Sequence, residues 1–334
     1  MKSQYVAELA EGSRVDAPFV LRAKEMHATR SGEAFLALEL ADRTGQVPGV
    51  WFRPDSSVAA VPVSAVVHVT GTVTRFRQIK RISVESLRPE ERWDPDDFLV
   101  RGQRDETELL DALRTLVGSV SDQELSRLLR RIFGDKVFFA RFKTCAGAQS
   151  YHHAYLGGLL EHTVAVASLC THLADEYAGV DRDLLVAAAL LHDVGKVDEL
   201  RCETSIEFTD EGRLIGHLTL GVRRIMDAAR RAGIDSASDT LIRLEHAVLS
   251  HHGELEWGSP KRPSTLEALL LHHADNLDAK ASGFSALLSR ASRAEEVWTD
   301  ASNLFRRPLY APRPAEDDRP RPVVEEGQHL GMTA

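Results

Sequence analysis

Histidine and aspartate residues recur through the second half of the chain at intervals that suit a metal site. Most of the 14 histidines lie between residues 152 and 273. Successive candidates are separated by about 24 to 34 residues, so each falls on or beside a different predicted helix. A helical bundle can bring such side chains to one interior point. The candidate ligands are His162, His192, Asp193, His217, His251, His252 and Asp275.

The composition of this donor set favours a divalent transition metal. Imidazole nitrogens with a few carboxylates suit Mn, Fe, Co, Ni or Zn better than Mg or Ca, which prefer oxygen ligands. The set exceeds what one tetrahedral zinc needs, and it suits one open site or two ions bridged by a carboxylate and a water. Asp193 is the natural bridge, because it adjoins His192 in the middle of the set. Whether His251 and His252 both bind metal stays open.

Helices predicted from the periodic spacing of apolar residues must position these side chains. Ser121-Asp122-Gln123-Glu124 is typical of a capping box, and Asp181 is placed to cap a following apolar helix. Between residues 197 and 216 the pattern predicts a β-hairpin with its turn at Asp210-Glu211-Gly212. The predicted helices span 105–118, 121–133, 153–177, 181–194, 217–232, 238–250 and 263–290.

The first 90 residues are predicted to be β-structure. Five short strands, with a small helix near residues 56–61 between the third and fourth, match the Greek-key barrel called the OB-fold. The predicted fold class is therefore multidomain α and β, a small N-terminal OB-fold barrel followed by an all-α bundle. The predicted strands span 18–26, 35–42, 46–52, 65–76 and 79–87.

A chain of 334 residues is long enough for two domains. We expect a nucleic-acid-binding barrel over residues 1–92, a helical linker over 93–150, a metallohydrolase domain over 151–307 and a proline-rich disordered tail over 308–334. Within the linker, the basic segment 127–143 is interpreted either as a funnel for polyanions or as an amphipathic helix with a solvated face.

Charge and cysteine content exclude several protein classes. The formal net charge of −9 argues against bulk coating of nucleic acid, although not against a local basic groove. Three cysteines without metal-type spacing argue against a disulfide scaffold and a zinc knuckle. The longest apolar run, residues 184–191, is too short to cross a membrane. We expect a cytoplasmic protein with no membrane partner, and its oligomeric state stays open.

The sequence resembles the HD-domain metallohydrolases through LLEHT at 159–163 and LLHDVGK at 190–196. It is more similar to the YhaM-type 3′→5′ exoribonucleases, which join an OB-fold to an HD domain. Further segments that carry this resemblance are GRLIGHLTLG at 212–221, HAVLSHHGELEWGSP at 246–260 and LHHADNLDAK at 271–280. The GYP-type sequence of HD cyclic-dinucleotide phosphodiesterases is missing after the paired histidines.

The resemblance implies a ligand set, a substrate and a cofactor. It implies single-stranded RNA or DNA as substrate, manganese or a similar divalent ion as activator, and cleavage from the 3′ end. The RNA or DNA preference stays open. Alternatives are a small-nucleotide phosphodiesterase and a non-catalytic protein that binds single-stranded DNA. The implied ligands are His162, His192, Asp193, His217, His251 and Asp275, with His252 as in two-metal relatives.

Other residues are assigned supporting roles as hypotheses. Asp193 is expected to orient a metal-activated water, and Lys196 to offset charge on the phosphoryl oxygens. Asp278 and His153 are expected to lie behind the ligands and orient them. On the barrel, aromatic side chains would stack on bases and basic ones would follow phosphates, although Phe35 and Trp51 suit the barrel core equally. The barrel candidates are Phe35, Trp51, Arg75, Phe76, Arg77 and Lys80.

Overall fold

The first element of the fold is a closed β-barrel at the N-terminus. In the computed structural model, residues 2–29, 32–150, 153–294 and 296–312 are described. Within them, five strands close in the order β1-β2-β3-β5-β4, which confirms the predicted OB-fold architecture. The strands are β1 (Arg14–Ala28), β2 (Ala34–Asp42), β3 (Gly45–Phe52), β4 (Val66–Phe76) and β5 (Ile79–Pro89).

Strand β1 closes the barrel because it is longer than predicted. Its first half pairs antiparallel with β4 and its second half with β2. The register with β2 shifts between Leu21 and Ala23, and such a bulge bends a strand so that it can serve two neighbours. Alternate residues of the strands, among them Phe19, Leu40 and Ile82, fill the barrel interior.

Helices form the rest of the structure, with one short hairpin between them. The predicted helices are confirmed with boundary shifts of a few residues, except that helix 153–177 begins only at Gly158. The elements are α1 (Glu106–Gly118), α2 (Gln123–Phe133), α3 (Lys136–Phe142), α4 (Gly158–Glu176), α5 (Arg182–Leu191), α6 (Lys196–Glu199), β6 (Leu200–Cys202), β7 (Ile206–Phe208), α7 (Asp210–Ile215), α8 (His217–Arg231), α9 (Asp239–Ser250) and α10 (Leu266–Arg293).

Two local predictions are wrong in detail. Asp122, and not Ser121, caps α2, because its carboxylate accepts hydrogen bonds from the N–H groups of Glu124 and Leu125. The hairpin of β6 and β7 turns at residues 203–205. Asp210 instead opens α7, whose N-terminus is capped by the Thr209 hydroxyl, a residue type that favours helix starts. Asp181 caps α5 as predicted.

The segment predicted as a helical linker packs into the main helical core. Leu113 of α1, Leu128 of α2 and Phe142 of α3 are buried with the helices that follow. The basic segment is interrupted where Gly134 ends α2 and Asp135 caps α3. It is therefore two helices and not one amphipathic helix.

The barrel contacts the helical part directly. The Arg22 guanidinium donates to the Thr204 carbonyl at 2.8 Å, and the Thr204 hydroxyl donates to the Ser64 carbonyl at 3.1 Å. The chain divides into two compact units, one ending at Ala281 and the other beginning at Ser282. The barrel and the helices through most of α10 thus belong to one unit.

In the second unit the aromatic rings of Phe284 and Phe305 pack edge to face, and Trp298 bridges to Tyr310. Residues 308–312 of the predicted tail are described, and the remainder of that prediction lies outside the described residues. In the part of the chain that the structure describes, none of the helices combines the length and apolar character that crossing a bilayer requires.

Candidate metal centre

The predicted ligands are carried by the ends and inner faces of five helical segments. His162 lies in the second turn of α4, and His192 and Asp193 follow the C-terminus of α5. His217 begins α8, and Asp275 lies on α10. His251 and His252 follow the C-terminus of α9.

Gly195, in the HDVGK segment, permits two of these segments to meet. A Cβ atom at this position would lie 2.0 Å from the backbone carbonyl of His217 and 2.5 Å from the amide of Gly221. Only glycine lets the turn after α5 approach the start of α8 this closely. The approach places Asp193 beside His217.

The carboxylate of Asp193 lies between two groups of imidazoles. Its Oδ2 atom is 3.4 Å from His162 Nε2 and 3.3 Å from His192 Nε2. Its Oδ1 atom is 3.6 Å from His217 Nε2 and 3.7 Å from His251 Nε2. The two oxygens of one buried side chain therefore face two different sets of nitrogens.

Two further predicted ligands complete these groups. Asp275 Oδ1 is 3.2 Å from His162 Nε2, on the Oδ2 side of Asp193. His252 Nε2 is 3.2 Å from His217 Nε2, on the Oδ1 side. The structure thus brings all seven predicted ligands to one place, arranged in two halves around Asp193.

Hydrogen bonds at the opposite ring nitrogen fix the orientation of every imidazole. The Nδ1–H group of His162 donates to the Asp278 carboxylate, and that of His217 to Glu199. The remaining Nδ1–H groups donate to backbone carbonyls, those of Ala189 for His192, Val248 for His251 and Trp257 for His252. A neutral imidazole that donates through Nδ1 has its lone pair on Nε2. The Nε2 atoms of His162, His192, His217 and His251 lie within 3.7 Å of Asp193 oxygens, and that of His252 faces His217.

Without a cation the inward-facing nitrogens would lie against one another. The Nε2 atoms of His162 and His192 face each other at 3.2 Å, as do those of His217 and His252. Among the described residues no group donates a hydrogen bond to the buried Oδ1 atom of Asp193. Converging imidazole nitrogens and an unpaired carboxylate oxygen are the donor chemistry of a divalent transition metal. The residues present fit such an ion.

Neighbouring charges and burial shift the pKa values of several groups at the centre. Burial opposes ionisation of Asp193, yet the nearby Lys196 ammonium and the His192 ring hold its pKa well below the usual range. Lys196 Nζ is 2.6 Å from Asp193 Oδ2. Burial disfavours the charge on Lys196, but Asp193 outweighs it and raises the lysine pKa. Burial lowers the pKa of His251, which suits a neutral ligand.

A chain of hydrogen bonds runs outward behind His162. Asp278 Oδ2 accepts from His162 at 2.7 Å and from His153 at 2.9 Å, so Asp278 and His153 both lie behind this predicted ligand. Tyr155 lies 3.0 Å from the other nitrogen of His153, and its hydroxyl donates to Glu161. Tyr155 and Glu161 were not predicted, because their spacing carries no signal until the backbone turn at His153, with φ of +50°, brings them together.

A cavity of about 260 Å³ opens beside the centre. Asp193, Lys196, His251 and His252 line its floor. Asp275, also a predicted ligand, lines it as well. The remaining lining residues, Trp257, His272, Asn276 and Ala279, were not predicted as site residues.

The aromatic residues predicted on the barrel separate into core and surface. Trp51 is 5% exposed and packs inside the barrel, so its predicted role in stacking bases is wrong. Phe35 lies on the outer surface, stacked on His27 and adjacent to Phe52, with ring centroids 5.5 and 5.7 Å away. Phe52 is 46% exposed and was not predicted.

The second predicted patch lies at the β4–β5 hairpin. Phe76 is half exposed, and the guanidinium groups of Arg77 and Arg81 lie over its ring. Arg75 pairs with Glu11 at 3.1 Å. The ammonium group of Lys80 is occupied, because it donates to the Leu9 carbonyl at 2.5 Å, and this placement does not support the predicted contact with phosphate.

The basic segment is partly neutralised. Arg141 pairs with Asp198 at 3.0 Å, and Lys143 pairs with Glu106 at 2.9 Å. The arginines of α2, by contrast, are exposed.

Known proteins resemble this chain over its helical part and over most of its length. Residues 159–280 match the HD domain family. The 3′-5′ exoribonuclease YhaM of Bacillus subtilis (strain 168) is 34% identical over 306 residues, which cover 90% of this chain and 96% of the relative. YhaM of Listeria monocytogenes serotype 4b (strain F2365) is 31% identical over 288 residues, which cover 85% and 91%.

Among solved structures, the second OB-fold domain of replication protein A from Methanococcus maripaludis is 20% identical, with a TM-score of 0.23. It covers 28% of this chain and 98% of that domain. The similarity to YhaM, in contrast, extends through the barrel and the histidine-rich centre alike. The chain therefore belongs to the YhaM-type 3′-5′ exoribonuclease family.

Proposed function

We propose that this protein is a metal-dependent 3′→5′ exoribonuclease that releases 5′-mononucleotides from single-stranded RNA. One observation carries the proposal. The imidazole nitrogens of four histidines converge on Asp193 in a chain that matches exoribonucleases over nine-tenths of its length. A phosphodiesterase of this kind needs donors that hold divalent ions next to an open cavity, and both are present.

The ligand roles follow from the two halves of the centre. His162, His192 and Asp275 with Asp193 Oδ2 would hold one ion, and His217, His251 and His252 with Asp193 Oδ1 would hold a second. Manganese is the ion that the family resemblance favours, and a set of imidazoles with carboxylates suits it or a similar divalent transition metal. When bound, the metal supplies an activated water and neutralises charge on the phosphoryl group.

The protein's own groups would orient the reaction. Lys196 restrains the Asp193 carboxylate through its 2.6 Å contact and lines the cavity, so its ammonium can offset charge that develops on the phosphate. Asp278 and Glu199 hold the imidazoles of His162 and His217 by their Nδ1–H groups. Such outer partners fix the ligand geometry.

The barrel would hold the RNA strand upstream of the cleaved end. The ring ladder of His27, Phe35 and Phe52 lies on β1–β3, and the face of strands 2 and 3 is where OB-folds bind oligonucleotides. Exposed aromatic rings accept bases of any sequence. Phe76 and Arg77 offer a second contact at the β4–β5 hairpin.

A time course on 5′-labelled single-stranded RNA with Mn²⁺ tests the activity. We expect a ladder that shortens from the 3′ end with wild type, and none with His192→Ala/Asp193→Ala. Circular dichroism controls for folding of the double variant. Activity retained by that variant, or cleavage of a cyclic dinucleotide in place of RNA, would contradict the proposal.

The barrel's role is tested by RNA affinity. Phe35→Ala/Phe52→Ala should weaken binding of a single strand by roughly 1–3 kcal/mol for each base that stacks. Tyr177→Ala, which removes a ring of 50% exposure at the end of α4, is the matched control. Equal affinities of the two variants would show that the ladder does not bind RNA.

A further inference from the structure

Trp257 is an exposed tryptophan at the wall of the cavity that contains the candidate metal centre. It lies in a short 3-10 turn, Leu255–Trp257, which follows the paired histidines and ends at Gly258. Its side chain is 55% exposed, although tryptophan is a residue that folding usually buries. The same cavity is lined by Asp193, Lys196 and His252.

The backbone of Trp257 is hydrogen-bonded to one of the predicted metal ligands. Its carbonyl accepts a hydrogen bond from His252 Nδ1 at 3.1 Å, so the residue that orients one imidazole also carries the exposed indole. On the cavity side the indole is supported by the His272 ring, at 6.0 Å between centroids. His272 is itself fixed, because it donates to the His251 carbonyl at 2.8 Å.

Polar groups suited to a nucleotide surround the indole. The ammonium group of Lys280 lies 5.9 Å from the indole centroid, at the end of an exposed and flexible side chain. The Asn276 side chain lines the same cavity. An aromatic ring beside the candidate metal centre, with a cation and an amide nearby, has the features of a binding site for one nucleotide.

We infer that Trp257 stacks on the base of the 3′-terminal nucleotide, the one that is removed in each cycle. This inference rests on the proposed function. The scissile phosphate would lie at the candidate metal centre, the terminal base would lie on the indole, and Lys280 would pair with phosphate oxygen. Because every base offers a ring face, stacking of this kind accepts all four nucleotides, as an exonuclease that removes nucleotides of any base requires.

The test compares Trp257→Ala and Trp257→Phe on three RNA substrates. One has an intact 3′ end, the second has an abasic 3′-terminal nucleotide, and the third has an abasic penultimate nucleotide. We expect Trp257→Ala to lower kcat/KM for the intact end about 5- to 150-fold. On the abasic terminus the same variant should match wild type within about twofold, and Trp257→Phe should keep most activity.

Trp298→Ala is the matched control, because Trp298 is 59% exposed and does not line this cavity. It should behave as wild type on all three substrates. The inference is overturned if Trp257→Ala matches wild type on the intact end. It is also overturned if the loss is as large on the abasic terminus, or if the loss disappears only with the penultimate abasic nucleotide.

A binding measurement separates this inference from the proposed activity. In the presence of Mn²⁺, AMP should bind Trp257→Ala about 5- to 150-fold more weakly than wild type, whereas ribose 5-phosphate should bind both equally. Equal AMP affinity overturns the inference whatever the activity. If AMP binds Trp257→Ala more weakly than wild type but the wild-type protein fails to shorten RNA, the exonuclease proposal is refuted and the stacking role of Trp257 is retained.

Discussion

Asp278 is predicted to control how tightly the His162 half of the centre binds metal. Its Oδ2 atom accepts two hydrogen bonds, from His162 Nδ1 at 2.7 Å and from His153 Nε2 at 2.9 Å. The first bond holds His162 in the tautomer whose Nε2 lone pair faces Asp193. Removing the Asp278 carboxylate should therefore weaken metal binding by His162, although Asp278 is not itself a metal ligand.

The size of the effect follows from burial. Asp278→Ala leaves the Nδ1–H group of His162, which is 2% exposed, without its acceptor. A buried donor left unpaired costs about 1–3 kcal/mol, and loss of such a partner lowers metal affinity about 10- to 100-fold. Asp278→Asn can keep an oxygen in the same place without its charge. Because neutral hydrogen bonds are roughly half as strong as charge-assisted ones, we expect Asp278→Asn to lower metal affinity about 3- to 10-fold.

The assay is a calorimetric Mn²⁺ titration of protein stripped of metal with a chelator. The control is Asp227→Ala, which removes an aspartate paired with Arg230 and Arg231. Affinity should fall in the order wild type and Asp227→Ala, then Asp278→Asn, then Asp278→Ala. Wild-type affinity in Asp278→Ala, or an equal loss in both Asp278 variants, would refute the reasoning from the hydrogen bond.

Two further predictions concern stability. In urea denaturation, Gly253→Ala should lower the free energy of unfolding by about 2–5 kcal/mol and Gly258→Ala by about 1–2 kcal/mol. Both glycines have φ above +80°, but only at Gly253 would the new methyl lie 2.2 Å from the His272 ring. Equal losses in the two variants would show that this contact relaxes. Burial lowers the pKa of Lys2 to about 8 despite its ion pair with Asp42. Below pH 8 Lys2 is charged in both the folded and the unfolded protein, so the full cost of burying the charge is present. Between pH 8 and 10.5 only the unfolded protein keeps the proton, so wild-type stability should rise relative to Lys2→Met by about 3 kcal/mol. Parallel curves of stability against pH for the two proteins would contradict this.

Strands β2 and β3 show which inward-facing residues the sequence pattern predicts and which it does not. Alternation along β2 places Leu36, Leu38 and Leu40 on the inner face, and this was readable from the sequence. In the register of β2 with β3, Leu36 pairs with Trp51 and Phe35 pairs with Phe52. Trp51 is therefore inside and Phe52 outside. Adjacent apolar residues do not reveal which one faces inward until the pairing is known.

The histidine-rich centre shows a similar division. The identity of the donors and their distribution over several helices were evident from residue types and intervals, because ligand chemistry belongs to the side chain itself. Their division between the two oxygens of Asp193 was not evident, since it depends on how α4, α8 and α9 pack. The supporting groups Tyr155 and Glu199 escaped notice for the same reason.

Periodicity, ligand type and motif are local properties of the chain, and from them alone the sequence predicts the barrel strands, most of the helices, the histidine and aspartate donors and the family. The packing of the elements sets which aromatic rings are exposed, which nitrogen of each histidine faces inward and that Trp257 lies at the cavity beside Asp193. These depend on contacts between residues far apart in sequence, where a shift of one residue or one turn reverses the outcome.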